Sequence, residues 1–273
     1  MRAVSAWHLD ACCVAAVVAA PFLYALGLVR LWRRAGVGRG ATPLHAFLFT
    51  LGWLAVAASV LSPIHTLGTQ VFVVHMTEHE LLMIVAAPLL VLARPVPVLL
   101  WGLPAGWRRG LRRFTQGGPR RLWRWLSAPL NATMLHAAAL WAWHLPGPFQ
   151  AALAHEGMHA AQHICFFATG VLFWWSVLSA HARRASPVGA ALALFVTMAH
   201  TSLLGALLAL SKGVWYPAES DPFAICGLTR IEDQQLAGLV MWVPSGVAYL
   251  AAALWLIGRR LVVAERGYGP ARA

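Results

Sequence analysis

Long apolar stretches recur along the chain, separated by polar connections that contain proline, glycine or arginine. Each stretch comes close to the roughly 20 apolar residues that a helix needs to cross the hydrocarbon core of a membrane. There are seven such stretches: 11–29, 44–61, 69–92, 128–145, 159–178, 188–210 and 235–257. The pattern predicts an all-α, polytopic membrane protein, in which seven transmembrane helices form a single domain over residues 1–273.

The composition agrees with insertion into a membrane. Hydrophobic residues make up 60% of the chain and charged residues only 11%, whereas soluble domains carry about 25% charged residues. The sequence has no glycine-rich phosphate loop or nucleophile elbow, so we do not expect an enzyme.

The distribution of basic residues predicts the orientation in the membrane. Apart from Arg2, Lys212 and Arg230, every Lys and Arg follows an odd-numbered stretch. The longest of these connections is a basic loop at about 93–127, and an outer loop at about 211–234 lies on the opposite side. The positive-inside rule then places the N-terminus outside and the C-terminus in the cytoplasm. Contact with anionic membrane lipid explains the net charge of +12 without a nucleic-acid partner.

Two apolar stretches contain histidines at a spacing of four residues. His75 and His79 lie in the third stretch; His159 and His163 lie at the start of the fifth, and His155 precedes it by four residues. This spacing places side chains on one face of a helix, about one turn apart. Polar side chains are costly inside a bilayer and usually mark a functional site. We therefore expect the two faces to form one metal-binding pocket.

The predicted topology sorts the other histidines by depth. His144 falls at the outer end of the fourth stretch, on the same predicted side of the membrane as these pairs. His200 falls near mid-depth, where a histidine more often makes a packing hydrogen bond, and it is a secondary candidate together with His155. Histidines predicted to lie outside the spans, or on the cytoplasmic side, are not candidates: His8, His65, His45 and His181.

Carboxylates accompany the histidines on the predicted outer side. Glu78 and Glu80 flank His79, and a carboxylate there can accept the free N–H of a metal-bound imidazole or be a ligand itself. Asp233 precedes the last apolar stretch, where it suits the N-terminus of a helix and faces the same outer surface. Glu78 and Asp233 are therefore secondary metal candidates, and the roles of Glu80 and Cys226 are left open.

Copper suits this set of side chains best. Imidazole binds copper well, and nearby thioethers such as Met76 and Met83 favour Cu(I). Haem is the alternative cofactor, because two facing histidines can hold its iron axially. A metal-ion transporter would need a polar path through the inner halves of the spans, and these are apolar.

Four short strings, in this order along the chain, resemble the CtaG family of bacterial seven-span cytochrome c oxidase assembly factors. They are His75-Met-Thr-Glu-His79, Trp143-His144-Leu-Pro146, His159-Ala-Ala-Gln-His163 and Asp233-Gln-Gln-Leu-Ala-Gly238. The resemblance implies a multi-pass protein of the bacterial inner (plasma) membrane that supplies copper to a haem-copper oxidase subunit. It also implies metal-related roles for His75, His79, His144, His159 and His163, and a place on the outer face for Asp233.

The expected function is therefore to hold copper in an outer-leaflet histidine cluster and deliver it to an oxidase subunit, with a periplasmic copper donor as a further partner. Two alternatives stay open at this point. One is a haem-binding membrane redox protein, and the other is a metal-free scaffold for oxidase assembly. The sequence predicts no particular oligomeric state.

Overall fold

The computed structural model describes residues 11–113, 116–179, 187–216 and 222–267, and within these ranges it is helical and contains no strand. His8 and His181 lie outside the described residues. The helices are α1 (Ala11–Ala35), α2 (Pro43–Leu61), α3 (Pro63–Gly68), α4 (Phe72–Ala93), α5 (Pro95–Gly102), α6 (Ala105–Arg113), α7 (Gly117–Leu126), α8 (Pro129–Trp143), α9 (Pro146–Ala154), α10 (Glu156–Leu178), α11 (Pro187–Ala209), α12 (Pro222–Cys226) and α13 (Arg230–Gly267). The predicted all-α class is confirmed.

Six of these helices are long and apolar enough to cross a membrane: α1, α2, α4, α10, α11 and α13. The predicted fourth span, 128–145, instead forms the 15-residue helix α8. At 1.5 Å per residue such a helix is about 22 Å long, less than the roughly 30 Å of the hydrocarbon core. It stops there because His144 caps it and Pro146 starts α9.

Proline and small polar residues set where several helices begin. Proline occupies the first turn of α2, α3, α5, α8 and α9, where its missing N–H costs nothing. Thr42 caps α2 and Ser62 caps α3 with side-chain oxygens that accept backbone N–H groups. Ser62 is also the residue at which α2 ends. Helix α3 therefore begins directly after a span and holds His65 beside the bundle.

Helix α4 is the most buried of the six long helices and carries the histidine motif in its first half. Its middle, Leu81–Ala86, has π-helical hydrogen bonding. Pro88 follows this segment and has no N–H to offer the carbonyl one turn earlier. π-Helical turns within α-helices often occur at functional sites, and this one directly follows His79 and Glu80.

The rest of α4 packs into two apolar cores. One core joins it to α1, α2 and α5 through side chains such as Tyr24, Phe49 and Leu90. The other joins it to α10, α11 and α13 around Phe173 and Tyr249. Outside these cores, large apolar side chains remain exposed along α1, α2, α11 and α13, as expected for surfaces that face lipid.

Helices α11 and α13 approach each other closely at a pair of glycines. A Cβ placed on Gly205 would lie 2.8 Å from the carbonyl oxygen of Gly238, so larger residues would push the two backbones apart. Small residues allow this kind of close helix packing within membranes. The contact fixes α13, whose first turn reaches over to α4.

Candidate metal centre

Six histidines and one glutamate meet at one end of the bundle. We call this group the histidine cluster; its members are His65, His75, Glu78, His79, His144, His159 and His163. Helix α3 supplies one of them, α4 supplies three, the end of α8 supplies one and α10 supplies two. Imidazole and carboxylate groups from four separate segments therefore lie close together in one region.

The two His-x-x-x-His faces of α4 and α10 lie directly against each other. Ring centroids are 4.4 Å apart within each helix, for His75–His79 and for His159–His163. Between the helices, His75 lies 4.9 Å from His159 and His79 lies 5.1 Å from His163. Each turn of α4 thus faces the corresponding turn of α10, and the phenyl rings of Phe149 and Phe166 close the sides.

His144 reaches the cluster from the end of α8, with its ring 6.4 Å from that of His79. Its Nδ1 lies 2.7 Å from the carbonyl oxygen of Leu140, and a carbonyl only accepts, so Nδ1 carries the proton. Nε2 is then left with a free lone pair, as in many metal-binding histidines. Tyr216 donates a 2.6 Å hydrogen bond to the backbone carbonyl of His144, and burial raises the pKa of the Tyr216 hydroxyl, so the donor stays protonated.

Glu78 stands at the centre of a compact four-residue group. Its Oε1 lies 3.2 Å from Nδ1 of His65, and its Oε2 lies 3.7 Å from Nε2 of His163. One ligand atom from each of His65, Glu78, His159 and His163 lies within 4.8 Å of the other three. Gly68 makes room for this carboxylate, because a Cβ there would approach its Oε2 to 2.7 Å.

Most of the side-chain nitrogen and oxygen atoms of the cluster are buried and have no hydrogen-bond partner. Both ring nitrogens of His75 and His79 are unpaired, and so are Nε2 of His144, His159 and His163 and Oε2 of Glu78. An unpaired buried polar group costs roughly 1–3 kcal/mol. A cation that accepts several lone pairs at once would satisfy these atoms together, so the residues present fit a metal ion.

His65 is the member of the cluster that reaches the surface. Its side chain is 28% exposed, compared with 7% for His163 and 5% for His159. The sequence pattern predicts that His65 lies outside the spans, and it does not identify His65 as part of the site. The sequence signal was its position in Ser62-Pro63-Ile64-His65, where a capped helix begins directly after α2.

Three of the secondary candidates lie apart from the cluster or have other partners. His155 is exposed at the start of α10, and His200 lies near His136, between α11 and α8. Asp233 is buried and accepts hydrogen bonds from the backbone N–H groups of Phe72 and Val73, at 2.8 and 2.9 Å. It therefore caps α4 from the first turn of α13, and in this position it orients the helix that carries the cluster.

Glu80 faces away from the cluster that contains Glu78. Residues two positions apart on a helix do not share a face, and Glu80 lies buried on the side of Tyr249. The two glutamates therefore have different surroundings, although the sequence places them side by side.

Residues 22–261 match the family model described as the cytochrome c oxidase caa3 assembly factor, Caa3_CtaG. The chain belongs to this family. The resemblance carried by the four strings is thereby confirmed.

Three mycobacterial relatives, each described as an uncharacterized protein, align with most of the chain. Those of Mycobacterium bovis and Mycobacterium tuberculosis are each 29% identical over 260 residues, which cover 88% of this chain and 37% of theirs. The Mycobacterium leprae relative is 26% identical over 258 residues, covering 89% and 37%. The chain thus spans about 37% of the length of these relatives. No solved structure matches it.

Proposed function

We propose that this protein binds copper in the histidine cluster and delivers it to a subunit of a haem-copper oxidase during assembly. The observation that carries the proposal is the convergence of buried, unpaired imidazole nitrogens from several segments around the carboxylate of Glu78. Membership of the family supports a role in oxidase assembly. Copper is the proposed cargo because imidazole is a good ligand for copper. In this role the protein is a metallochaperone and not an enzyme.

The cluster has more donors than one copper ion uses. Six imidazoles and a carboxylate exceed the roughly four ligands of a tetrahedral metal site. A surplus of similar donors allows one imidazole to replace another without leaving the ion free. Such a site suits a cargo that moves, whereas a structural site holds a closed set of ligands.

Delivery then proceeds by ligand exchange. A bond between copper and a cluster imidazole breaks as a bond to a donor atom of the oxidase subunit forms, and the oxidation state of copper stays the same. His65 is the first imidazole to be exchanged, because it is the most exposed of the cluster. A periplasmic copper donor would load the site past the same residue.

In the proposed topology the chain crosses the bacterial plasma membrane seven times, with its N-terminus outside the cell and its C-terminus in the cytoplasm. The fourth crossing consists of α8 together with α9, because α8 by itself is too short to span the membrane. The distribution of charge supports the orientation: the arginines between α4 and α8 lie at the opposite ends of these helices from the cluster. The cluster accordingly opens to the outer side.

The proposal is tested by complementing a deletion strain. We expect His79→Gln/His163→Gln to abolish oxidase activity and to leave the oxidase without copper, while the protein still accumulates in the membrane. The matched control is His136→Gln/His200→Gln, which removes two other histidines of the bundle and should restore the oxidase. Full restoration by the first variant would support a metal-free scaffold, and a Soret band with bound iron in the wild-type protein would support haem; either result overturns the copper proposal.

A further inference from the structure

Arginines surround an open cleft at the end of the bundle away from the histidine cluster. The cleft has a volume of about 450 Å³ and is lined by Arg30, Arg33, Arg34, Trp101, Pro104 and Arg108. We call it the arginine cleft. Its volume falls within the roughly 300–1,000 Å³ that is typical of small-molecule sites.

The fold holds several of these side chains in fixed positions. Gly27 and Gly102 let α1 and α5 pack with their backbones in contact, and Arg30 donates a 2.6 Å hydrogen bond to the carbonyl oxygen of Gly102. The guanidinium groups of Arg108 and Arg34 lie 4.8 and 5.8 Å from the centre of the Trp101 ring. Cation–π contacts of this kind orient a guanidinium without neutralising its charge.

No carboxylate among the described side chains neutralises these arginines. The described acidic side chains are Glu78 and Glu80 in α4, Glu156 at the start of α10, and Glu232 and Asp233 at the start of α13. The described ion pairs all involve Glu78 and the histidine cluster. Four positive charges therefore share one cleft without a protein counter-ion, which is a favourable setting for an anion.

The surroundings of the cleft are apolar as well as basic. Phe22 and Val29 are exposed along α1, which leads up to the cleft, and Trp107 is exposed on α6 beside it. A bound anion would therefore lie at the end of a helix surface that faces lipid. Arginine is well suited to phosphate because its planar fork can donate two hydrogen bonds at once.

We propose that the arginine cleft binds the phosphodiester headgroup of an anionic phospholipid, with the acyl chains lying along the exposed face of α1. Phosphatidylglycerol has the required chemistry. Phosphatidylcholine lacks the net negative charge, and inorganic phosphate lacks the acyl chains. The site is independent of copper and of the histidine cluster.

The test measures lipid retention by native mass spectrometry on the full-length protein in nanodiscs containing equal parts of phosphatidylglycerol and phosphatidylcholine. We expect the wild-type protein to retain phosphatidylglycerol preferentially. Arg33→Gln/Arg34→Gln/Arg108→Gln should weaken retention by roughly a hundredfold, given a several-fold contribution from each arginine next to an anionic headgroup. Arg30 is left intact because it also bonds to Gly102.

The matched control is Arg109→Gln/Arg120→Gln/Arg121→Gln, which removes the same charge from exposed positions of α6 and α7 outside the cleft. Retention should stay within about twofold of wild type. An equal loss in both variants would show that general surface charge attracts the lipid and would overturn the proposal. Equal retention of phosphatidylcholine, or displacement of the lipid by an equal concentration of inorganic phosphate, would also overturn it.

Discussion

The histidine cluster and the His136–His200 pair differ in how many segments supply their polar atoms. Four segments supply the cluster. The pair comes from two helices, α8 and α11, and Nδ1 of His136 already has a partner in the hydroxyl of Thr169 at 3.1 Å. Both regions contain buried imidazole nitrogens without partners. Burial and unpaired nitrogens are therefore common to both regions, whereas convergence of several donors around a carboxylate distinguishes the histidine cluster.

The largest expected effect is on Cu(I) affinity, and it distinguishes the histidine cluster from the His136–His200 pair. His79→Gln/His163→Gln removes two imidazoles from facing turns of α4 and α10. We expect it to lower Cu(I) affinity by more than about a hundredfold, because losing a residue that only orients a metal ligand already costs up to about that much. Competition with a Cu(I) chelator measures this affinity in purified protein. His136→Gln/His200→Gln should leave it unchanged, and equal losses in both variants would remove the distinction between the regions.

A smaller effect is expected from the carboxylate that only the cluster possesses. Glu78→Gln keeps the size of the side chain but removes the charge beside His65 and His163. We expect Cu(I) affinity to fall about 10–100-fold, the range found for groups that orient metal ligands. Glu80→Gln is the control, because Glu80 lies on the other side of α4. A larger loss from Glu80→Gln would show that the wrong carboxylate was assigned.

Asp233 should affect the stability of the cluster's helix more than its metal affinity. Asp233→Ala leaves the N–H groups of Phe72 and Val73 without their acceptor, which we expect to cost about 1–3 kcal/mol of folding stability. Thermal unfolding in detergent measures this loss. Asp233→Asn keeps one acceptor oxygen and should lose less. If both variants were as stable as wild type but failed to bind copper, Asp233 would be a ligand and not a cap.

His65 should have the mildest effect, on rate more than on affinity. His65→Ala removes the exposed donor and leaves the buried ones in place, so we expect Cu(I) uptake from a chelator to slow severalfold while the affinity changes less. Stopped-flow transfer measurements report this rate. His155→Ala, an exposed histidine outside the cluster, should transfer copper at the wild-type rate.

Helical periodicity explains which parts of the site the sequence could predict. A four-residue spacing within one helix fixes a shared face, so the pairs His75–His79 and His159–His163 were identifiable from local pattern alone. His65 was missed because its place depends on the break at Ser62 and on how α3 folds back on α4. The bonds from α4 to Asp233 connect residues about 160 positions apart, and no local pattern contains such a contact.

The fold was predictable to a similar degree. Apolar stretches predicted the six long helices, and most boundaries agree to within a few residues. The largest differences are at the C-terminal ends of α1 and α13, which lie at Ala35 and Gly267 and not at 29 and 257. Stretch 128–145 was apolar enough to resemble a span, but its helix ends at Trp143 and a proline starts the next one. The number of crossings therefore depends on how α8 and α9 sit in the membrane, which hydropathy along the chain does not determine.

Copper K-edge X-ray absorption on the purified protein with one equivalent of Cu(I) tests whether the histidine cluster binds copper. We expect a nitrogen and oxygen coordination shell with the outer-shell scattering of imidazole, and weaker imidazole scattering in His79→Gln/His163→Gln. A sulfur-dominated shell that is unchanged by the double substitution would place copper on methionine or cysteine and would contradict the assignment of the histidine cluster as the copper site.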